Sequence, residues 1–158
     1  MQLAQQAACI VAPFWACQDQ SDGEPGHKSG TKSRIFAEPA PLHIVVVEDE
    51  PFVRLDIEAV LTAAGHDVVA AADTAEDAIA IAELERPDLM IMDVRLLEGG
   101  DGVKAAIEIW ERFGIRSLFA SANLDPIMRA QAGRANPVGF VDKPFLTATL
   151  LAALPKKA

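Results

Sequence analysis

Four short apolar runs in this chain each end in residues that can hold charge or donate a hydrogen bond. Ile44 to Val47 runs into Glu48-Asp49-Glu50, and Leu89 to Met92 into Asp93. Ser117 to Ala120 is followed by Ser121, and Val138 to Val141 leads to Lys143-Pro144-Phe145. Each alone says little. An acid after a strand is usually a solvated loop residue, a lysine usually lies on the surface, and a serine usually caps or turns. Taken in order, they would gather anionic oxygens, a hydroxyl donor and a fixed positive charge around one point, and that order argues against coincidence.

Such a gathering needs elements that bring the run ends to one edge. Ile44 to Val47 is β-branched throughout, the mark of a strand buried on both faces. Val53, Ile57, Val60, Leu61 and Ala64 then recur at helical spacing, and Gly65 stands where a helix end favours a left-handed residue. Asp67 to Ala72 reads as a weaker strand. Thr74 is placed to cap a helix over Ala75 to Glu85, with Asp77 positioned as in a capping box, and Pro87 stops it. Leu89 to Met92 is a third strand. Val103, Ala106, Ile107 and Trp110 mark a third helix, and Ser117 to Ala120 a fourth strand. Asp125-Pro126 signals a fourth helix by cap and first turn. Val138 to Val141 is a fifth strand, and Leu146 to Leu154 a last short helix.

Strand and helix thus alternate five times. This pattern predicts a doubly wound five-stranded parallel sheet, (βα)5 and flavodoxin-like, with helices on both faces. In such sheets the ligand site lies at the carboxyl ends of the strands, which is where the acids, the hydroxyl and the lysine stand.

Here the chain resembles the receiver domain of bacterial response regulators, over residues 42 to 154. Glu48 and Asp49 in VVVEDE match the acidic pair, and Asp93 in LMIMDVRL matches the phosphoacceptor. Ser121 in LFASAN matches the hydroxyl position, Lys143 in GFVDKPF the lysine, and Phe140 the aromatic switch position. The resemblance implies Mg²⁺ as cofactor, with Asp49, Asp93 and the backbone carbonyl of Arg95 as direct ligands and Glu48 acting through water. Mg²⁺ suits crowded carboxylates because it takes oxygen ligands, keeps several waters and relieves their repulsion. Asp93 would be the nucleophile. Lys143 and Ser121 would meet the phosphoryl oxygens, with charge neutralisation carrying the chemistry. Ser121 and Phe140 would form the conformational switch, Phe140 moving inward, and Lys143-Pro144 would be a cis peptide. Glu50 reads as a loop or helix-start residue. The implied partners are a sensor histidine kinase or histidine phosphotransfer protein and a downstream target protein.

The chain also departs from the family pattern. Many receivers carry a proline soon after the phosphoacceptor. Here Leu96-Leu97-Glu98-Gly99-Gly100-Asp101-Gly102 reads as a permissive, mobile loop. Arg95 and Asn123 occupy positions that tune phosphoryl lifetime in the family. No output domain is expected after the last helix, so output is assigned to docking through the last two helices and the fifth strand, or to phosphoryl relay.

Composition sets the remaining bounds. The net charge is −9, and basic residues form no stripe suited to phosphate backbones, which argues against direct nucleic-acid binding or adhesion to an anionic membrane. No apolar run approaches the roughly 20 residues of a membrane-spanning helix. Ala7 to Cys17 contains Pro13 and lacks a basic lead-in, so no export signal is read and a cytoplasmic location is expected. Residues 1–41, with Cys9 and Cys17, are expected to form a disordered tail: Gln18 to Arg34 has few aliphatic residues with which to offset ordering entropy. Residues 42–158 are expected to form the domain.

Three other readings fit less well. A haloacid-dehalogenase-like phosphatase would place its nucleophile in an Asp-x-Asp motif after the first strand, whereas Glu48-Asp49-Glu50 continues into Pro51-Phe52. A flavodoxin-like nucleotide binder would need a Ser/Thr- and Gly-rich loop at that point. A receiver-like interaction module working without phosphorylation would keep the fold and not the reaction.

Overall fold

The structure, a computed structural model, describes residues 40–96, 99–122 and 125–156. All but Ala40 and Pro41 of the expected tail lies outside the described residues, as do Leu97, Glu98 and Asn123. Five strands, β1 (His43–Val47), β2 (Asp67–Ala72), β3 (Leu89–Met92), β4 (Ser117–Ser121) and β5 (Gly139–Asp142), form one sheet in the order β2-β1-β3-β4-β5. Every pairing in it is parallel. The helices are α1 (Pro51–Ala63), α2 (Ala75–Glu85), α3 (Gly102–Phe113), α4 (Pro126–Ala132) and α5 (Thr147–Ala153).

The two-residue period of the central strands divides the core into two layers. Val45, Val47, Met90 and Met92 pack with Ala78 and Ala82 of α2 and with Val103, Ala106 and Ile109 of α3. Their neighbours Ile44, Val46, Leu89 and Ile91 pack on the other face with Ile57 and Leu61 of α1 and Leu150 of α5. All eight strand residues are essentially inaccessible, each contributing about 1.5–3 kcal/mol of apolar burial. A strand buried on both faces has no polar side to alternate with, which is why β1 and β3 read as continuous apolar runs.

Local signals set the helix ends. Thr74 accepts from the Asp77 N–H at 3.1 Å and its hydroxyl donates to Asp77 Oδ2 at 2.9 Å. Asp125 accepts from Met128 N–H at 2.8 Å, with Pro126 as the first residue of α4. Gly65, just past α1, has φ +84, open to glycine at little cost.

Two features have no counterpart in the sequence reading. Arg95–Leu96 pairs antiparallel with Gly100–Asp101, so both ends of the glycine-rich segment are tied in a short ribbon. A 3-10 turn, Gly133–Ala135, follows α4.

The chain steps from β1 outward to β2 and returns across β1 to β3. Connections after β1 and β3 therefore leave in opposite directions, opening a crevice at the carboxyl edge. Gly102 closes its floor. A Cβ added there would lie 1.8 Å from the Asp93 carbonyl oxygen, while the Gly102 N–H donates to the Val94 carbonyl at 3.0 Å. Gly102→Ala is therefore expected to lower stability by about 1–3 kcal/mol in urea denaturation, the usual range for overpacking. Gly133→Ala, with nothing within 4 Å of the added carbon and a right-handed helical backbone, should be neutral or stabilising by up to about 1 kcal/mol.

Candidate functional site

Three of the four charged residues of the crevice, Glu48, Asp93 and Lys143, are each fixed by a backbone hydrogen bond one step beyond a strand end. Glu48 N–H donates to the Ala72 carbonyl at 2.9 Å, extending β1 along β2. Asp93 N–H donates to the Val47 carbonyl at 2.9 Å, extending β3 along β1, and Lys143 N–H donates to the Ser121 carbonyl at 3.0 Å, extending β5 along β4. The sheet thus places the Cα atoms, and only the side chains need find one another.

They do. Lys143 Nζ donates to Glu48 Oε2 and, at 2.7 Å, to Asp93 Oδ2. Glu48, Asp49 and Asp93 each present a carboxylate oxygen within 4.8 Å of the others. Glu48 is only 3% exposed, and the side chains of Lys143 and Asp93 are each 13% exposed. Burial pushes the Glu48 carboxyl above its usual range. The hydrogen bond and charge of Lys143 pull it down, and the negative Asp93 adds to the rise. One ammonium against three carboxylates leaves a negative surplus.

That surplus and the all-oxygen donor set fit a hard divalent cation. Glu48, Asp49 and Asp93 could hold one, and its charge would offset what Lys143 leaves uncompensated.

The other residues singled out in the sequence sit around this core. Ser121 ends β4 and is buried, with Asp142 as its register partner on β5. The Arg95 N–H donates to Asp93 Oδ1 at 3.2 Å, and Arg95 is exposed. Glu50 is the cap residue of α1 and makes no side-chain cap bond. The Lys143-Pro144 bond is cis. Phe140 belongs to a different neighbourhood: its ring stacks on Phe119, with centroids 5.6 Å apart and planes 13° apart. Gly102 underlies Asp93. Its trace in the sequence is the Asp101-Gly102 pair opening a helix, where Asp101 accepts from the N–H groups of Val103 and Lys104 at 3.0 and 3.1 Å.

Residues 44–155 match the response regulator receiver domain family. The chain belongs to that family. The receiver is 30% identical over 122 residues to the phyllosphere-induced regulator PhyR of Methylorubrum extorquens, covering 77% of this chain and 45% of that protein. It is 34% identical over 116 residues to the transcriptional regulatory protein PdtaR of Mycobacterium tuberculosis, covering 72% of this chain and 55% of that protein. The crystal structure of the response regulator PhyR from Brucella abortus matches it with a TM-score of 0.65 and 30% identity, over 73% of this chain and 46% of that one. The chain spans about half the length of these relatives. Among the described residues, no helix of the receiver is long and apolar enough to cross a membrane.

Removing the ammonium leaves buried carboxylates without a counter-charge, which typically costs about 3–5 kcal/mol for a fully buried pair. Because Asp93 retains some solvent access, Lys143→Met is expected to lose about 2–4 kcal/mol of stability in Mg²⁺-free urea denaturation. Adding Mg²⁺ should narrow the gap to the wild type, since the cation replaces the missing charge. A gap that does not change with Mg²⁺ would mean that the carboxylates do not share a cation site.

Proposed function

We propose that this receiver takes a phosphoryl group onto Asp93 from a sensor histidine kinase or a histidine phosphotransfer protein, with Mg²⁺ as cofactor, and that the modified form presents an altered docking face to a downstream protein. One observation carries this reading. The Asp93 carboxylate, at the end of β3, shares the Lys143 ammonium with Glu48, while Asp49 completes a set of oxygens within 4.8 Å.

In the proposed step an Asp93 oxygen attacks phosphorus and the new O–P bond forms as the P–N bond to the donor imidazole breaks. The imidazole leaves with the bonding pair. Lys143 turns its ammonium toward a phosphoryl oxygen, and the Ser121 hydroxyl donates to another. Asp49, Asp93 and the Arg95 carbonyl would hold Mg²⁺, with Glu48 acting through water, and the bound cation would neutralise phosphoryl charge. Phe140 and Ser121 would carry the change toward the face formed by α4, β5 and α5. The chain would catalyse only its own phosphorylation and dephosphorylation, making it a signalling phosphoacceptor and not a turnover enzyme. The same reading implies a cytoplasmic location, protein partners, and no direct contact with nucleic acid or membrane, in keeping with a net charge of −9.

The test is intact-mass measurement after incubation with acetyl phosphate, with and without Mg²⁺, beside Asp93→Asn. A single phosphoryl adduct is expected on the wild type, in Mg²⁺ only, and none on the variant. A folded wild-type protein that gains no adduct under any condition would sink the reading in favour of a phosphorylation-independent interaction module.

A further inference from the structure

One side chain joins α4 to the strand that delivers the pocket lysine. The Arg129 guanidinium lies over the Phe140 ring, 4.9 Å from its centroid. Its Nη2 also meets Asp142 Oδ1 at 3.3 Å. Phe140 and Asp142 are two positions apart on β5 and so share one side of the strand. Arg129 therefore grips β5 at two consecutive points of a single face.

What β5 holds beyond that grip is the site. Asp142 is the register partner of Ser121, and the next residue, Lys143, is bonded through its N–H to the Ser121 carbonyl at 3.0 Å. The ring that Arg129 covers is stacked on Phe119, which is fully buried in β4. One edge of the grip thus rests on buried core, and the other ends one residue before Lys143, whose ammonium bridges Glu48 and Asp93. Arg129 is also bonded into α4, its N–H donating to the Asp125 carbonyl at 3.0 Å. A largely exposed ion pair such as this one contributes little alone. Combined with a cation–π contact on the same strand face, it ties two elements together.

We propose that Arg129 is a positioning residue that couples α4 to the pocket. By clamping Phe140 and Asp142 it favours the placement of β5 in which Lys143 bridges Glu48 and Asp93. The inference rests on the phosphoacceptor reading above. A phosphoryl group on Asp93 draws the same ammonium toward its own oxygens, so the clamp and the phosphoryl group favour different placements of Lys143. Linkage then makes the effect reciprocal: weakening the clamp strengthens binding of anything that recruits Lys143, and occupation of the pocket loosens α4.

The test titrates beryllofluoride, a tetrahedral stand-in for a phosphoryl group on a carboxylate, at saturating Mg²⁺. Wild type is compared with Arg129→Met, Asp142→Asn and the double variant, and the melting midpoint of each is read alongside. Arg129→Met should tighten beryllofluoride binding by about fivefold, the lower end of ordinary couplings between sites. Losing a cation would by its field alone weaken the binding of an anion, so tightening isolates the clamp. Asp142→Asn should tighten it less, having lost one of the two contacts, and the double variant should match Arg129→Met. Unchanged or weaker binding in Arg129→Met overturns the proposal, as does a lowered melting midpoint with no change in affinity. Full additivity in the double variant also overturns it, because the two residues would then act as separate charges. Wild type that binds no beryllofluoride overturns the phosphoacceptor reading itself, and the clamp with it. Wild type that binds, with no change in Arg129→Met, overturns the clamp alone.

Discussion

A single ammonium group stands between two carboxylates in a place that water barely reaches. Lys143 comes from the end of β5, Glu48 from the end of β1 and Asp93 from the end of β3. Removing such charges from water is costly, and mutual attraction offsets the cost only when geometry is tight and the remaining bonds are made. This demands a frame that does not drift. The frame here is the parallel sheet, whose central strands β1 and β3 are sealed on both faces by aliphatic side chains and whose hydrogen bonding runs one residue past the ends of β1, β3 and β5. The core serves the pocket by keeping three chain segments in register.

The same arrangement leaves the pocket short of positive charge. Asp49 adds a third carboxylate to the group, and burial already presses the Glu48 carboxyl toward its protonated form. A protein selected for stability alone would place apolar groups here. Keeping acids in the crevice leaves one ammonium to serve a cluster of three carboxylates. The floor is rigid at the same point. With Gly102 packed against the Asp93 carbonyl, the Asp93 backbone has no room to move on that side.

Much of this was legible in the sequence because it depends on order and period. Apolar runs at β1 and β3, caps at Thr74 and Asp125, and acids, serine and lysine at successive strand ends are all local patterns, and together they define the sheet and the edge on which Glu48, Asp49, Asp93 and Lys143 meet. What stayed hidden depends on contact. The Arg95–Leu96 ribbon is two residues long, too short for any period, and of the segment's glycines only Gly100 is paired in it. Gly102 looked like one permissive glycine among three, since only the fold reveals which backbone it must let pass. Arg129 carries no local signal of its role, because its partners Phe140 and Asp142 lie on another element.

Glu48 and Lys143 are separated by 95 positions. Contacts of such long range slow folding, because the entropy of closing the loop must be overcome before the contact rewards it. During synthesis the acids of β1 and β3 emerge well before their counter-charge, so a chain folded only as far as β4 would hold a crowded anionic edge with no lysine to offset it. The pocket is complete only when β5 has docked against β4. The charge arrangement of the crevice is therefore tied to completion of folding: a partly folded domain carries Glu48 and Asp93 but not the ammonium that bridges them.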